Sequence, residues 1–227
     1  MLCIGHRGAM GYVPENTLLS IRKAIELGAD WVEIDVHLAD AQLFVIHDET
    51  LDRTTNGKGK LSAYSFAKLR ALDAGWGEQI PTLQEVIEEA KEKVGLNIEL
   101  KGIATGEAVA IQLSALDKEH KEKILVSSFL MDELVNVSRL DETIKLGVLA
   151  GKNVRIAFEW AKKLHAFSIH LSLNLATAEY VRQAHDQNLK LFVYTVNKQV
   201  DITRMKLIGV DGVFTNYPDR VLNVISR

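Results

Sequence analysis

The stretch 31-WVEIDVHLADAQLFVIHD-48 decides the fold. It holds two β-rich apolar runs, Trp31–Val36 and Leu43–Ile46, with Ala39-Asp40-Ala41-Gln42 between them. A connection that short cannot carry a parallel crossover, which takes a dozen residues or more. The second run therefore returns antiparallel, as a hairpin extending the first. Glu33 and Asp35 are two apart, so a strand points both side chains to one face. The hairpin brings His47 back beside them.

On either side of this stretch, apolar runs alternate with segments of helical period. The runs are Leu2–Ile4, Leu96–Leu100, Ile124–Val126, Ile144–Leu149, Phe167–Leu171, Lys190–Val196 and Gly212–Phe214, besides Trp31–Val36. The helical segments are Asn16–Leu27, Leu83–Lys93, Gly106–Asp117, Asp132–Val137, Val154–Lys163, Thr177–Gln187, Val200–Leu207 and Asp219–Ile225. Strand–helix alternation implies parallel strands with right-handed crossovers, and eight such units close a barrel. The expected architecture is α/β: a single (β/α)8 TIM barrel with an extra antiparallel hairpin strand and a small insertion after the second strand. Residues 1–227 form one domain in this reading, with 48–81 as the insertion at the barrel mouth. Thr82 and Glu85 have capping-box spacing, and Gly28 and Gly209 follow helices where a C′ glycine belongs. The insertion carries Gly57, Gly59, Gly75 and Gly77 and a short helical stretch, Ser65–Leu72. A connection of this length in a barrel is usually functional.

Bulk properties agree. The chain has 227 residues, close to the ~250 of a typical barrel and too few for a second full domain. A hydrophobic share of 47% supplies a core, and a net charge of −3 excludes the basic footprint of a nucleic-acid binder. An anionic ligand must then be held by local cations. The single cysteine, Cys3, lies in an apolar run and reads as a buried strand residue. No signal-peptide pattern and no run near the ~18 apolar residues of a membrane span appears, so a cytoplasmic protein without stable membrane insertion is expected. Nothing in the pattern points to an oligomeric state.

In a barrel the active site lies at the C-terminal strand ends. These ends carry His6-Arg7-Gly8, Glu33 and Asp35, Glu99-Leu100-Lys101, His47-Asp48, Ser127-Ser128-Phe129, Tyr194-Thr195-Val196-Asn197 and Thr215-Asn216. Glu33, Asp35 and Glu99 form a candidate three-carboxylate cluster. Such a cluster repels itself unless a cation sits within it. Hard oxygen donors favour one divalent cation, Mg2+ or Ca2+, over Zn2+. His6 and His47 can flank the same opening and divide general-base and general-acid work. Arg7 and Lys101 supply fixed positive charge, and Arg suits bidentate contact with phosphate. Together these residues fit phosphoryl chemistry.

The ordered series His6-Arg7-Gly8, Pro14-Glu15-Asn16-Thr17, Glu33-Ile34-Asp35-Val36, His47 through Gly57, Leu72-Asp73-Ala74-Gly75, Ile80-Pro81-Thr82-Leu83 and Glu99-Leu100-Lys101 closely resembles the glycerophosphodiester phosphodiesterase family. The resemblance implies His6 and His47 as the acid/base pair. It implies Glu33, Asp35 and Glu99 as metal ligands, with Arg7 and Lys101 on the phosphate. The implied substrate is a small glycerophosphodiester, released as an alcohol and glycerol 3-phosphate, by direct attack of water or through a cyclic phosphate. The alternatives are a phospholipase-type enzyme acting on lipid and a catalytically silent binding barrel. The chain departs from the family pattern at Asp40-Ala41, where Asp-Gly is usual, at Tyr194, where Trp is frequent, and at Asn216, where Asp often stands.

Of the remaining residues, Phe129 and Tyr194 are candidates to pack on the glycerol or alcohol group. Trp76 has a similar claim. Asn16 reads as the N-cap of the first helix, and Glu15 as a partner for Arg7. His37 and His170 can face the interior, whereas His120, His165 and His185 read as solvated.

Overall fold

The computed structural model describes residues 1–226. The strands are β1 (Leu2–Gly5), β2 (Trp31–Ala39), β3 (Gln42–Val45), β4 (Gly95–Leu100), β5 (Ile124–Ser128), β6 (Lys145–Leu149), β7 (Ser168–Ser172), β8 (Lys190–Tyr194) and β9 (Gly212–Thr215). The helices are α1 (Leu18–Glu26), α2 (Phe66–Arg70), α3 (Leu83–Ala90), α4 (Thr105–Ser114), α5 (Lys118–Glu122), α6 (Met131–Leu140), α7 (Val154–Lys163), α8 (Ala178–Asp186), α9 (Gln199–Ile208) and α10 (Pro218–Ile225). Strand order is β1-β9-β8-β7-β6-β5-β4-β2, closed into a ring by parallel pairing of β1 with β2. β3 stands outside the ring, antiparallel on β2, as the short connection requires. No helix among the described residues is long and apolar enough to cross a membrane.

Side-chain parity explains the layers. Outward residues such as Cys3, Val32, Ile34, Ile98, Val126, Val148, Ile169 and Val213 join the helices in the main core. The inward residues Ile4, Leu125, Phe192 and Phe214 plug the barrel with Leu2, Trp31, Phe167 and Tyr194 around them. With both faces covered, the strands read as nearly continuous apolar runs. Polar inward residues appear towards the C-terminal ends, where Glu33, Asp35, Asn97, Ser127 and His170 are buried.

β2 has nine residues, and its second half serves the hairpin: Val36 pairs with Val45 and Ala39 with Gln42. The turn keeps positive φ at both Asp40 (45°) and Ala41 (56°), so Ala41 occupies the place where glycine is relaxed. The insertion is anchored. Phe44, Ile46, Leu51, Leu61, Leu69 and Ile80 form a second small core between β3 and α2.

Most boundaries fall within a few residues of expectation. Thr82 and Glu85 do form a capping box on α3. The N-cap of α1 is Thr17, not Asn16: Thr17 closes a capping box with Ser20, which leaves the Asn16 side chain free to turn inward. The helix expected over Gly106–Asp117 ends at Ser114, and an unexpected short helix, α5, follows it, N-capped by Asp117, whose side chain accepts from the His120 backbone N–H.

Candidate active site

Glu33 and Asp35 on β2 meet Glu99 on β4. In the parallel register Asp35 stands beside Glu99, and Glu33 beside Asn97. One oxygen from each of the three carboxylates lies within 4.8 Å of the others. Burial, followed by the charges of Asp35 and Glu99, pushes the Glu33 carboxyl well above its ordinary range. Burial and then Asp35 raise Glu99 to about 7. Glu33 Oε2 accepts from the Arg7 backbone N–H at 2.8 Å, and Asp35 Oδ2 accepts from Asn16 Nδ2 at 2.9 Å. Glu99 Oε1 accepts from Lys101 Nζ at 2.9 Å. Glu33 Oε1 and Asn97 Oδ1 are buried with no partner. Unsatisfied buried acceptors within a hard-oxygen donor set fit a divalent cation.

The positive groups lean on the same cluster. Lys101 Nζ is 3.6 Å from Asp35 Oδ1. Arg7 Nε is 3.1 Å from Asp35 Oδ2, near enough for ion pairing although the N–H is not aimed along that line. Arg7 sits in a tight loop with φ of 50°, followed by Gly8 at 78°. A Cβ on Gly8 would come within 2.4 Å of Ser20, so only glycine lets this loop press on α1 and aim the Arg7 N–H at Glu33. The Arg7 guanidinium also binds Glu15 at 2.8 Å, as expected. Glu15 is held from its other side by Arg53, which reaches on to Asp48.

Both candidate histidines are tied at Nδ1. His47 Nδ1 lies 2.6 Å from Asp48 Oδ1, and His6 Nδ1 lies 2.8 Å from Asn216 Oδ1. Asn216 is in turn fixed by its backbone N–H, which donates to Asn197 Oδ1 at 2.8 Å. This leaves Nε2 of each ring for chemistry. Burial, reinforced by the Arg7 charge, lowers His6 to about 4, so it is neutral at pH 7.

His6, Arg7, Glu33, His47, Glu99, Lys101, Phe129 and Tyr194 line one cavity of about 180 Å³. Asp35, 1% exposed, stands just behind that wall. Phe129 and Tyr194 meet edge to face at 6.1 Å, and Tyr194 Oη donates to the Ala150 carbonyl. Burial raises the Tyr194 phenol to about 12, which keeps that proton in place.

Several wall and support residues escape a reading of motifs. Asn97 lines the cavity floor beside His170, which does face the interior as expected. His170 packs between Phe192 and Phe214, with Nε2 at 2.9 Å from Ser168 Oγ. Their signal was inward parity on β4 and β7. Asn16 holds Asp35, and Arg53 links Asp48 to Glu15 across the mouth, a contact with no signature in spacing. His37 is turned from the cavity: its Nε2 lies 3.0 Å from the His47 carbonyl. Trp76 is 73% exposed and is absent from the cavity wall. His120 and His185 pair with Asp117 and Asp211.

The site and the barrel have relatives. A profile of the glycerophosphoryl diester phosphodiesterase family matches residues 6–220. A glycerophosphodiester phosphodiesterase of Caldanaerobacter subterraneus subsp. tengcongensis is 37% identical over 238 residues, covering 100% of this chain and 98% of that one. One of Bacillus subtilis is 34% identical over 247 residues, covering 96% and 84%. Among solved structures, an Oleispira antarctica phosphodiesterase in complex with the product sn-glycerol-3-phosphate superposes with a TM-score of 0.91 at 31% identity, covering 99% of this chain and 96% of that one. A barrel with this acidic cluster, this pair of tethered histidines and a family match over nearly its whole length belongs to the glycerophosphoryl diester phosphodiesterase family.

Proposed function

We propose that this chain, acting as one catalytic domain, hydrolyses small glycerophosphodiesters to an alcohol and sn-glycerol 3-phosphate. The observation that carries the reading is the convergence of His6, His47, Arg7, Lys101 and the carboxylate cluster on one cavity. The named relatives and the product bound by the Oleispira enzyme support it. Glu33, Asp35 and Glu99 would hold one Mg2+ or Ca2+, which supplies charge stabilisation to the phosphoryl oxygens. Arg7 and Lys101 orient the same phosphate and share its charge. His6, neutral at pH 7, takes the proton of the attacking hydroxyl at Nε2 as the new O–P bond forms. His47, backed by the Asp48 carboxylate, gives a proton to the alkoxide as the old P–O bond breaks. Phe129 and Tyr194 offer apolar faces to the substrate carbons. In this reading the enzyme is cytoplasmic and acts on small molecules, a setting with which the buried free Cys3 is compatible.

The test measures glycerol 3-phosphate release from glycerophosphocholine and glycerophosphoethanolamine, with Mg2+, Ca2+ or EDTA, for wild type and His47→Ala. Metal-dependent release lost in the variant is expected. Release that survives His47→Ala sinks the two-histidine scheme, and no release with any metal sinks the hydrolase reading.

A further inference from the structure

Lys101 stands in the walls of two depressions. One is the reaction cavity. The other is an open groove of about 510 Å³ whose walls include His37, Leu38, Glu49, Leu61, Ile103 and Leu130. The cavity, at about 180 Å³, is smaller than the ~300–1,000 Å³ of pockets that enclose a whole small ligand. A diester whose phosphate lies against Lys101 therefore extends out of the cavity, and the groove is the depression that shares that lysine.

The groove's charged side chains are already engaged. Glu49 Oε1 pairs with Lys60 Nζ at 2.9 Å, and Lys101 Nζ is shared between Glu99 and Asp35. His37 Nε2 is at the His47 carbonyl, and Ser62 adds one hydroxyl to the wall. The surface left for a guest is mainly apolar. Ile103, 89% exposed in the loop after β4, and Leu130, 39% exposed ahead of α6, stand uncovered beside buried Leu61. Uncovered apolar side chains grouped next to a reaction centre mark a binding surface.

We propose that this groove is the leaving-group subsite and that it selects diesters whose alcohol carries a hydrocarbon chain. The inference rests on the hydrolase reading above. It adds which alcohols that site prefers, by a chemistry separate from the cation and the histidines. The apolar wall would cover one side of the chain, so each methylene contributes only part of its full transfer gain.

The experiment compares kcat/KM of the cation-loaded enzyme for glycerophosphohexanol, glycerophosphomethanol and glycerophosphocholine. The expected result is a preference of about tenfold for hexyl over methyl, falling towards one in Ile103→Asp and in Leu130→Asp. The ratio does not depend on the fraction of enzyme that folds, so a destabilised variant still reports. A wild-type ratio near one overturns the proposal, as does a preference that both variants keep. A choline preference abolished by Glu49→Gln overturns it in favour of a cation subsite. Hydrolysis of none of the three diesters sinks the hydrolase reading itself, a failure distinct from hydrolysis without preference.

Discussion

Nδ1 of His47 stands 2.6 Å from Oδ1 of Asp48, and Arg53 grips the same carboxylate through its Nε at 2.7 Å. Hydrogen bonds from Arg53, then from His47, hold the Asp48 carboxyl well below its ordinary range, so it stays ionised. The carboxylate sets the ring's tautomer and orientation from behind. His47→Ala is expected to lower kcat by about 10²–10⁴-fold, the usual worth of a general acid or base. Asp48→Asn, which keeps shape but loses charge, should lose less. Asp48→Asn with wild-type kcat would leave the Asp48 charge without a part in proton delivery.

His6 has a neutral amide behind it. In Asn216→Asp a carboxylate would face Nδ1, favouring the charged ring against the burial that now holds it near 4. An opposite charge at this range raises such a value by about 1–3 units. If His6 is the base, the acidic limb of kcat/KM rises by that order in the variant. A profile that does not move would remove His6 from that role.

His170 is buried and lowered to about 3 by burial alone. Its folded value lies below the unfolded 6.5, so the unfolded chain binds the extra proton first as pH falls. Stability is then lost on acidification from about 6.5 towards 3, at up to about 1.4 kcal/mol per pH unit. His6 contributes in the same direction. Urea midpoints at pH 7 and pH 5 should converge in His170→Gln relative to wild type, even as the variant loses stability at pH 7. Gly147→Ala addresses the same spot, since its Cβ would come within 2.7 Å of His170 Nε2. A loss of about 1–3 kcal/mol by overpacking is expected.

Glu99, raised to about 7, shows the opposite sign. Its folded carboxyl holds a proton that the unfolded chain gives up above about 4.5, so ionising the cluster without a cation costs stability as pH rises towards 7. A bound divalent cation should relieve this and displace the proton. Calorimetry at pH 6.5 in buffers of different ionisation heat should therefore show proton release on binding. The cation should raise Tm in wild type and not in Glu33→Gln. Binding without proton release would contradict the raised value of Glu99.

Ala41 at φ 56° is a turn residue in a conformation that suits glycine. Ala41→Gly is expected to stabilise the protein by roughly 1 kcal/mol in urea unfolding, with kcat unchanged. A loss of stability would show that the turn gains more from the methyl group than it pays in backbone strain.

Strand count, the hairpin and the acidic cluster were legible because they rest on local rules. Period-two parity put Glu33 and Asp35 on one face, and loop length forced β3 to return. Glu99 followed from the same parity one strand away. Residues acting across the mouth were not legible. Arg53 meets Glu15 from 38 positions away, and Asn197 meets Asn216 between two successive loops. Such contacts depend on how loops fold over the rim, which no periodicity encodes. Asn16 was misread for a related reason: asparagine suits an N-cap, but Thr17 with Ser20 took that position and Asn16 went to Asp35.

The ring closes through β1 and β2, so β3 adds nothing to its continuity. The groups proposed for the cation and the phosphate belong to the barrel, whereas His47 is delivered on an appendage with its own small core. The two are joined at the mouth by the ion pairs Arg7–Glu15, Glu15–Arg53 and Arg53–Asp48. A change in the hairpin or insertion that spares Arg53 can reset the reach of one histidine alone, whereas a change at Arg53 is felt by Arg7 as well.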